Sequence, residues 1–180
     1  INGFSLPAIT NAKDRAEVES KLKQCFREFE NDTELKGEYL ELNSMSDDLV
    51  NNLRAYGIMF QQPNENTLLQ ATGAGRDWPN NRGIYLSNCG KFYLLVNEED
   101  HMRIISREEG GDIVSIFKRM SKGIHIVEQM LTKMGSGYQF DRHFGYVLTC
   151  PSNLGTGLRA SVRMKLPMLS HYLTPSQFDS

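Results

Sequence analysis

Apolar and small residues recur at helical spacing in two long segments of the chain. The first predicts an amphipathic helix over residues 11–31. The second follows Asp112, ends at Gly135 and gives the clearest helical pattern of the sequence. Its apolar stripe comprises Ile113, Ile116, Phe117, Met120, Ile124, Val127, Leu131 and Met134. A shorter helix is predicted over residues 47–56, with Ser46 as its capping residue.

Shorter apolar runs between and after these helices predict strands. The predicted strands cover residues 38–42, 82–87, 91–96, 102–106, 144–149 and 158–166. A series of strands followed by a packing helix predicts an antiparallel sheet with helices on one face, which is an α+β domain.

Length and charge narrow the class of protein. A chain of 180 residues fits one domain with a substantial core. Its net charge of −2 argues against a nucleic-acid partner, and no apolar run is long enough to span a bilayer. Three cysteines, Cys25, Cys89 and Cys150, are an odd number, which favours reduced thiols and a cytoplasmic location.

Two segments carry candidate chemistry. Glu98 and Glu99 stand at the end of the predicted strand 91–96, shortly before Arg103. Residues 150–160, CPSNLGTGLRA, offer a thiol, two glycines and an arginine in one loop. Together these residues indicate an anion-binding active site with an acid/base group. The alternative interpretation is a pair of solvated carboxylates at a strand end and a buried, inert thiol.

Four stretches carry a family resemblance: GFSLP at residues 3–7, RDWPNNRGIY at 76–85, VNEEDHMRIIS at 96–106 and CPSNLGTGLRASV at 150–162. The chain resembles the phosphagen kinases, the ATP:guanidino phosphotransferases that include creatine kinase and arginine kinase. The resemblance implies the glutamine synthetase/guanidino kinase-like fold, an antiparallel sheet flanked by helices. It also implies that residues 1–180 are a partial catalytic domain, without the small N-terminal helical domain and the C-terminal end.

The resemblance implies reversible transfer of the γ-phosphoryl group of ATP to a guanidino compound, with Mg²⁺ accompanying ATP or ADP. Glu99 would bind the acceptor guanidinium by bidentate hydrogen bonds and accept its proton. Glu98 would help to hold the magnesium ion through water, and Cys150 would contact the guanidinium. The implied nucleotide-binding residues are Leu86, Arg103, Arg159, Ala160, Ser161, Val162 and Arg163. Arginine suits this role because its planar fork of donors matches phosphate oxygens.

Three positions depart from the family pattern. Leu86 and Arg163 stand where the family usually has histidines near the purine, and Leu95 stands where a tryptophan is common. Trp78 is interpreted as a packing anchor. The active kinase that buffers ATP is one hypothesis. The other is a kinase-derived structural subunit, docked in a large assembly such as a ciliary axoneme. The resemblance leaves a homo-oligomer or docking in a larger assembly open, because family members occur as monomers, dimers and octamers. The sequence does not separate creatine, arginine, taurocyamine and glycocyamine as acceptors.

Overall fold

The computed structural model describes residues 1–64, 67–71 and 73–168. Within these ranges, four α-helices and six strands follow one another. They are α1 (Ala12–Glu28), β1 (Gly37–Glu41), α2 (Asp47–Ala55), α3 (Leu68–Ala71), β2 (Gly83–Ser87), β3 (Phe92–Val96), β4 (Met102–Ser106), α4 (Ile113–Lys133), β5 (Phe140–Asp141) and β6 (Gly145–Tyr146). In the described part of the chain, no helix is long and apolar enough to cross a membrane.

Strands β1 to β4 form an antiparallel sheet in sequence order, with each strand paired to the next. Residues directly opposite in such pairs point to the same face of the sheet. One row across the sheet consists of Tyr39, Tyr85, Leu94 and Ile104, and the neighbouring row, on the other face, consists of Leu40, Ile84, Leu95 and Arg103. The predicted antiparallel sheet is confirmed, and its register places Arg103 on the face opposite to Leu94.

Helices α1 and α4 cover the face that carries Leu94. Their buried residues, including Leu22, Val127 and Leu131, form one core cluster with this face of the sheet. Helix α4 approaches closely at Gly123, where an added Cβ would lie 2.5 Å from the ring of Phe92. Side chains at Asn11 and Asp112 cap the two helices.

The first turns of α4 differ from the predicted apolar stripe. Ile113 is 67% exposed and Phe117 is 53% exposed. The buried residues of the helix begin only at Arg119. The apolar pattern therefore starts before the part of the helix that packs against the sheet.

Helix α2 lies on the other face of the sheet. Val50 and Leu53 from this helix and Phe60 beyond it form a second core cluster with Ile84 and Leu95. The prediction of helices on one face was wrong, because successive residues of β2 and β3, and not every second one, are apolar or buried. The sheet therefore has two buried faces, and each face needs a cover.

The strands predicted over residues 144–149 and 158–166 were wrong. Only Gly145–Tyr146 forms a strand there, paired with Phe140–Asp141, and residues 158–166 are exposed and irregular. Alternating residues such as Val162 and Met164 produced the strand pattern. A strand also needs a neighbour for its backbone groups, and among the described residues none pairs with 158–166.

Candidate active site

The acidic loop, residues 97–101, connects β3 to β4. It is closed by a hydrogen bond from the Asn97 N–H to the His101 carbonyl, 3.0 Å, and Asn97 has a φ of 54°. The side-chain amide of Asn97 donates to the carbonyls of Arg15 and Asn81, at 3.0 and 2.7 Å. Nε2 of His101 lies 2.9 Å from the Ser5 carbonyl. These contacts hold both ends of the loop and leave Glu98 and Glu99 between them.

His101 acts as an anchor in its neutral form. Its ring is buried, and this burial lowers its pKa to about 4. The uncharged ring can therefore donate a hydrogen bond to the Ser5 carbonyl at neutral pH. His101 therefore carries no positive charge that would pair with the neighbouring carboxylates.

The two glutamates share the guanidinium group of Arg103. Nη2 of Arg103 donates to Oε2 of Glu99 at 2.8 Å, and Nη1 lies 2.9 Å from Oε2 of Glu98. The arginine side chain is 40% exposed, whereas the glutamates are 19% and 21% exposed. The pair of carboxylates is therefore partly desolvated and already holds a guanidinium group.

Glu98 has an unsatisfied oxygen. Although Arg103 is close to its Oε2, the contact lacks hydrogen-bond geometry, and this buried atom has no hydrogen-bond partner among the described residues. Burial raises the pKa of Glu98 in spite of the neighbouring arginine. The free acceptor could take a hydrogen bond from a ligand or from a water molecule.

A small open cavity adjoins the glutamates. Its lining includes Glu98, Glu99, Phe60 and Trp78. Trp78 contacts the ring of Phe60 edge to face, with centroids 5.6 Å apart, and lies 5.1 Å from the guanidinium carbon of Arg82. The tryptophan packs as the sequence analysis predicts, and in addition it forms a wall of the cavity.

Buried arginines shape the loop that carries Trp78. Arg82 donates to the carbonyls of Ala74 and Arg76, at 2.7 and 2.9 Å. Arg15, which is 2% exposed, donates to the carboxylate of Asp77 at 2.8 Å. Because Asn97 also binds this loop through Asn81, the tryptophan and the acidic loop are held in one arrangement.

Cys150 lies on a separate segment. Its sulfur is 2.9 Å from the Ser152 hydroxyl, and the thiol is free. The preceding residue, Thr149, donates its backbone N–H to Oδ1 of Asp100 at 2.8 Å. Asp100 was not predicted from the sequence. The available signal was its place directly after the two glutamates, but its partner is 49 residues away in the chain.

The predicted nucleotide residues are not gathered around Arg103. Arg159 and Arg163 are exposed, as is the stretch between them, Ala160, Ser161 and Val162. In the described ranges neither arginine forms a hydrogen bond or an ion pair. Leu86 is half-buried and lies on the same face of the sheet as Arg103, two strands away.

Comparison with known proteins identifies the family of this chain. The sequence model of the family described as ATP:guanido phosphotransferase, C-terminal catalytic domain, matches residues 17–180. A flagellar creatine kinase from Strongylocentrotus purpuratus is 44% identical over 172 residues, which are 96% of this chain and 14% of that protein. An M-type creatine kinase from Gallus gallus is 40% identical over 172 residues, 96% of this chain and 44% of that protein.

A solved structure extends the similarity to the fold. The crystal structure of lombricine kinase superposes with a TM-score of 0.87 at 36% identity, covering 99% of this chain and 48% of that one. These similarities define a phosphotransferase domain. The chain belongs to the ATP:guanido phosphotransferase family, in the region of its C-terminal catalytic domain. It spans less than half the length of these relatives.

Proposed function

We propose that the protein containing this chain reversibly transfers the γ-phosphoryl group of ATP to a guanidino compound. The observation that carries the proposal is the contact between Arg103 and Glu99. It supports a site at which a partly desolvated carboxylate binds a guanidinium group, the group that the acceptor would present. Membership of the ATP:guanido phosphotransferase family supports the same chemistry.

In this proposal Glu99 orients the acceptor. It also accepts the proton that the acceptor guanidinium loses when its nitrogen attacks the γ-phosphorus of ATP. A carboxylate can make two parallel hydrogen bonds to a guanidinium, which fixes the direction of the attacking nitrogen. The small cavity beside Trp78 adjoins this carboxylate. Cys150, paired with Ser152, would contact the other side of the acceptor guanidinium.

Arg103 would change partners when the nucleotide binds. Its guanidinium occupies Glu99 in this structure, so the acceptor and Arg103 compete for one carboxylate. The phosphate chain of the nucleotide carries more negative charge than one carboxylate, and its oxygens match the planar fork of donors of the arginine. Binding of ATP would therefore draw Arg103 away from Glu99 and leave the carboxylate to the acceptor.

The residues present fit a magnesium ion held through water near Glu98. The buried Oε2 of Glu98 has no hydrogen-bond partner among the described residues and lies 2.9 Å from Nη1 of Arg103. It would accept a hydrogen bond from metal-bound water once Arg103 turns towards the phosphates. When bound with ATP or ADP, Mg²⁺ neutralises charge on the phosphate chain. We assign Leu86, Arg159, Ala160, Ser161, Val162 and Arg163 to the nucleotide on the strength of the family resemblance.

The setting in the cell follows from the same proposal. One relative is described as a flagellar creatine kinase, which supports ATP buffering in the cytoplasm or in a cilium or flagellum. Relatives include creatine and lombricine kinases, so the proposal extends to the guanidino class of acceptor and not to one compound. Assembly as a homo-oligomer, or docking in a larger structure, belongs to this proposal too.

The proposal is tested by coupled ATP turnover of the intact natural protein with creatine, arginine, taurocyamine, glycocyamine and lombricine. We expect turnover with at least one of them. Glu99→Gln should lower it by about 10²- to 10⁴-fold, the range for a lost general base. Glu109→Gln is the matched control, because Glu109 is exposed and lies outside the site. A folded protein without turnover and without Mg²⁺-ADP binding would instead support a structural subunit.

A further inference from the structure

Asp100 joins the two parts of the candidate active site. It directly follows Glu99, is 9% exposed, and its Oδ1 accepts the Thr149 N–H at 2.8 Å. Thr149 is the residue before Cys150. One hydrogen bond therefore links the residue that follows Glu99 to the residue that precedes Cys150.

Other hydrogen bonds do not make this connection. In the described part of the chain, residues 139–158 otherwise bond within their own segment, as in Val147 N–H to the Gln139 carbonyl and Tyr146 N–H to the Gly155 carbonyl. The ring of Tyr146 packs against Tyr138, which directly precedes these residues and packs against the core cluster of α1 and α4. Residues around Cys150 are half-buried or exposed, and among the described residues none of 139–158 belongs to either core cluster.

The acidic loop, in contrast, holds the backbone of Asp100 in place. Asn97 is tied to α1 and to the loop before β2, and His101 is tied to Ser5. Asp100 lies between Glu99 and the anchored His101, so its carboxylate has little freedom to move. Through its hydrogen bond to Thr149, the carboxylate of Asp100 positions the cysteine segment, which comprises residues 139–158.

We propose that Asp100 is a positioning residue that sets the place of Cys150 relative to Glu99. The role rests on the proposed function, in which both side chains meet the acceptor guanidinium. Asp100 acts through the location of its accepting oxygen. The competing explanation is electrostatic: Asp100 would serve as a third negative charge beside Glu98 and Glu99.

Three substitutions in the intact protein separate these explanations. Asp100→Asn keeps an accepting oxygen at the same place and removes the charge. Asp100→Glu keeps the charge and moves the oxygens outward by one carbon. Asp100→Leu keeps the branched shape and removes both. Positioning predicts that the defect grows in the order Asn, Glu, Leu, whereas an electrostatic role predicts that Glu is milder than Asn.

The first readout is independent of catalysis. We expect the Thr149 amide to exchange its hydrogen about tenfold faster or more in Asp100→Leu, and less than about fivefold faster in Asp100→Asn. The change in the rate at which iodoacetamide alkylates Cys150 should grow in the same order, Asn, Glu, Leu. Asp100→Asn and Asp100→Glu alone give the deciding order if Asp100→Leu does not fold.

The second readout is kinetic. Positioning predicts a raised KM for the guanidino acceptor and a lowered kcat, with the KM for ATP within about twofold of the natural value. A milder defect in Asp100→Glu than in Asp100→Asn, or equal defects, would overturn the proposal. Failure of the proposed phosphotransfer shows up separately, as absent turnover in the unmodified protein, while the exchange measurement still decides the role of Asp100.

Discussion

The acidic loop and the cysteine segment each carry a group proposed to contact the acceptor, but they are held in different ways. The acidic loop joins two strands of the sheet and is anchored by Asn97 and His101. Residues 139–158 contain one pair of strands, β5 and β6. Among the hydrogen bonds of the described residues, a single one, to Asp100, joins this segment to the sheet and its acidic loop. The loop is thus held by several hydrogen bonds, whereas the segment has one hydrogen bond to the loop and the ring contact between Tyr146 and Tyr138.

This difference separates the two halves of the proposed chemistry. Glu98, Glu99 and Arg103 are brought together by the sheet and its hairpin. Arg159 and Arg163 lie beyond the cysteine segment and are exposed. The acceptor carboxylates are therefore preorganised, whereas the remaining nucleotide arginines require further contacts to converge on Arg103.

Truncating one leucine in the sheet that carries the acidic loop and one in the cysteine segment should give the largest difference in stability. Leu94→Ala removes a side chain with 0% exposure from the centre of the sheet and should cost about 2–5 kcal/mol of unfolding free energy. Leu158→Ala alters a side chain that is 52% exposed and should change stability by only about 0.5 kcal/mol. Denaturant unfolding measures both, and equal losses would show that the cysteine segment is as well packed as the sheet.

Replacing Arg103 should have an intermediate effect, on ligand binding. Arg103→Met keeps the length of the side chain and removes the guanidinium that competes for Glu99. We expect the guanidino acceptor to bind up to about fivefold more tightly without nucleotide, in line with a partly exposed ion pair, and ATP to bind more weakly. Calorimetry on the intact protein measures both affinities. Arg107→Met, at an exposed arginine outside the pair, is the control. Weaker acceptor binding in Arg103→Met would contradict the competition.

Removing the charge of Glu98 should have the smallest effect, with a distinct pH dependence. Burial raises its folded-state pKa above the ordinary value of 4.5, so the folded protein takes up this proton more readily than the unfolded chain. The resulting stabilisation is present below that ordinary value and is lost as the pH rises through the raised pKa. Glu98→Gln should therefore stabilise the fold at pH 7, by less than about 1 kcal/mol.

The gain in Glu98→Gln should shrink as the pH falls through the raised pKa of Glu98. Thermal unfolding between pH 4 and pH 8 measures this trend. Glu109→Gln, which changes an exposed carboxylate, should show no such trend. A loss of stability at pH 7 in Glu98→Gln would mean that the contact with Arg103 outweighs the burial of the charge.

The elements with strong local signals were predictable from the sequence. Apolar runs placed β2, β3 and β4 within one residue of their observed bounds, and capping residues such as Ser46 and Asp112 marked the starts of α2 and α4. These features depend on neighbours in the chain. The same is true of Glu98 and Glu99, because a hairpin loop keeps them close to Arg103.

Features that depend on distant residues were not predictable. The pattern over 158–166 indicates a strand, but pairing requires a neighbour that the pattern does not specify. Nothing local indicates that α2 covers the second face of the sheet. The bond between Asp100 and Thr149 joins residues 49 positions apart, so only the folded chain reveals it.

A crystal structure of the intact protein with Mg²⁺-ADP, a phosphate-like anion and a guanidino acceptor would test the central claim most directly. The account predicts the acceptor guanidinium within about 3 Å of the Glu99 carboxylate, with Arg103 turned towards the nucleotide phosphates. An acceptor bound elsewhere, with Arg103 still paired to Glu99, would contradict it.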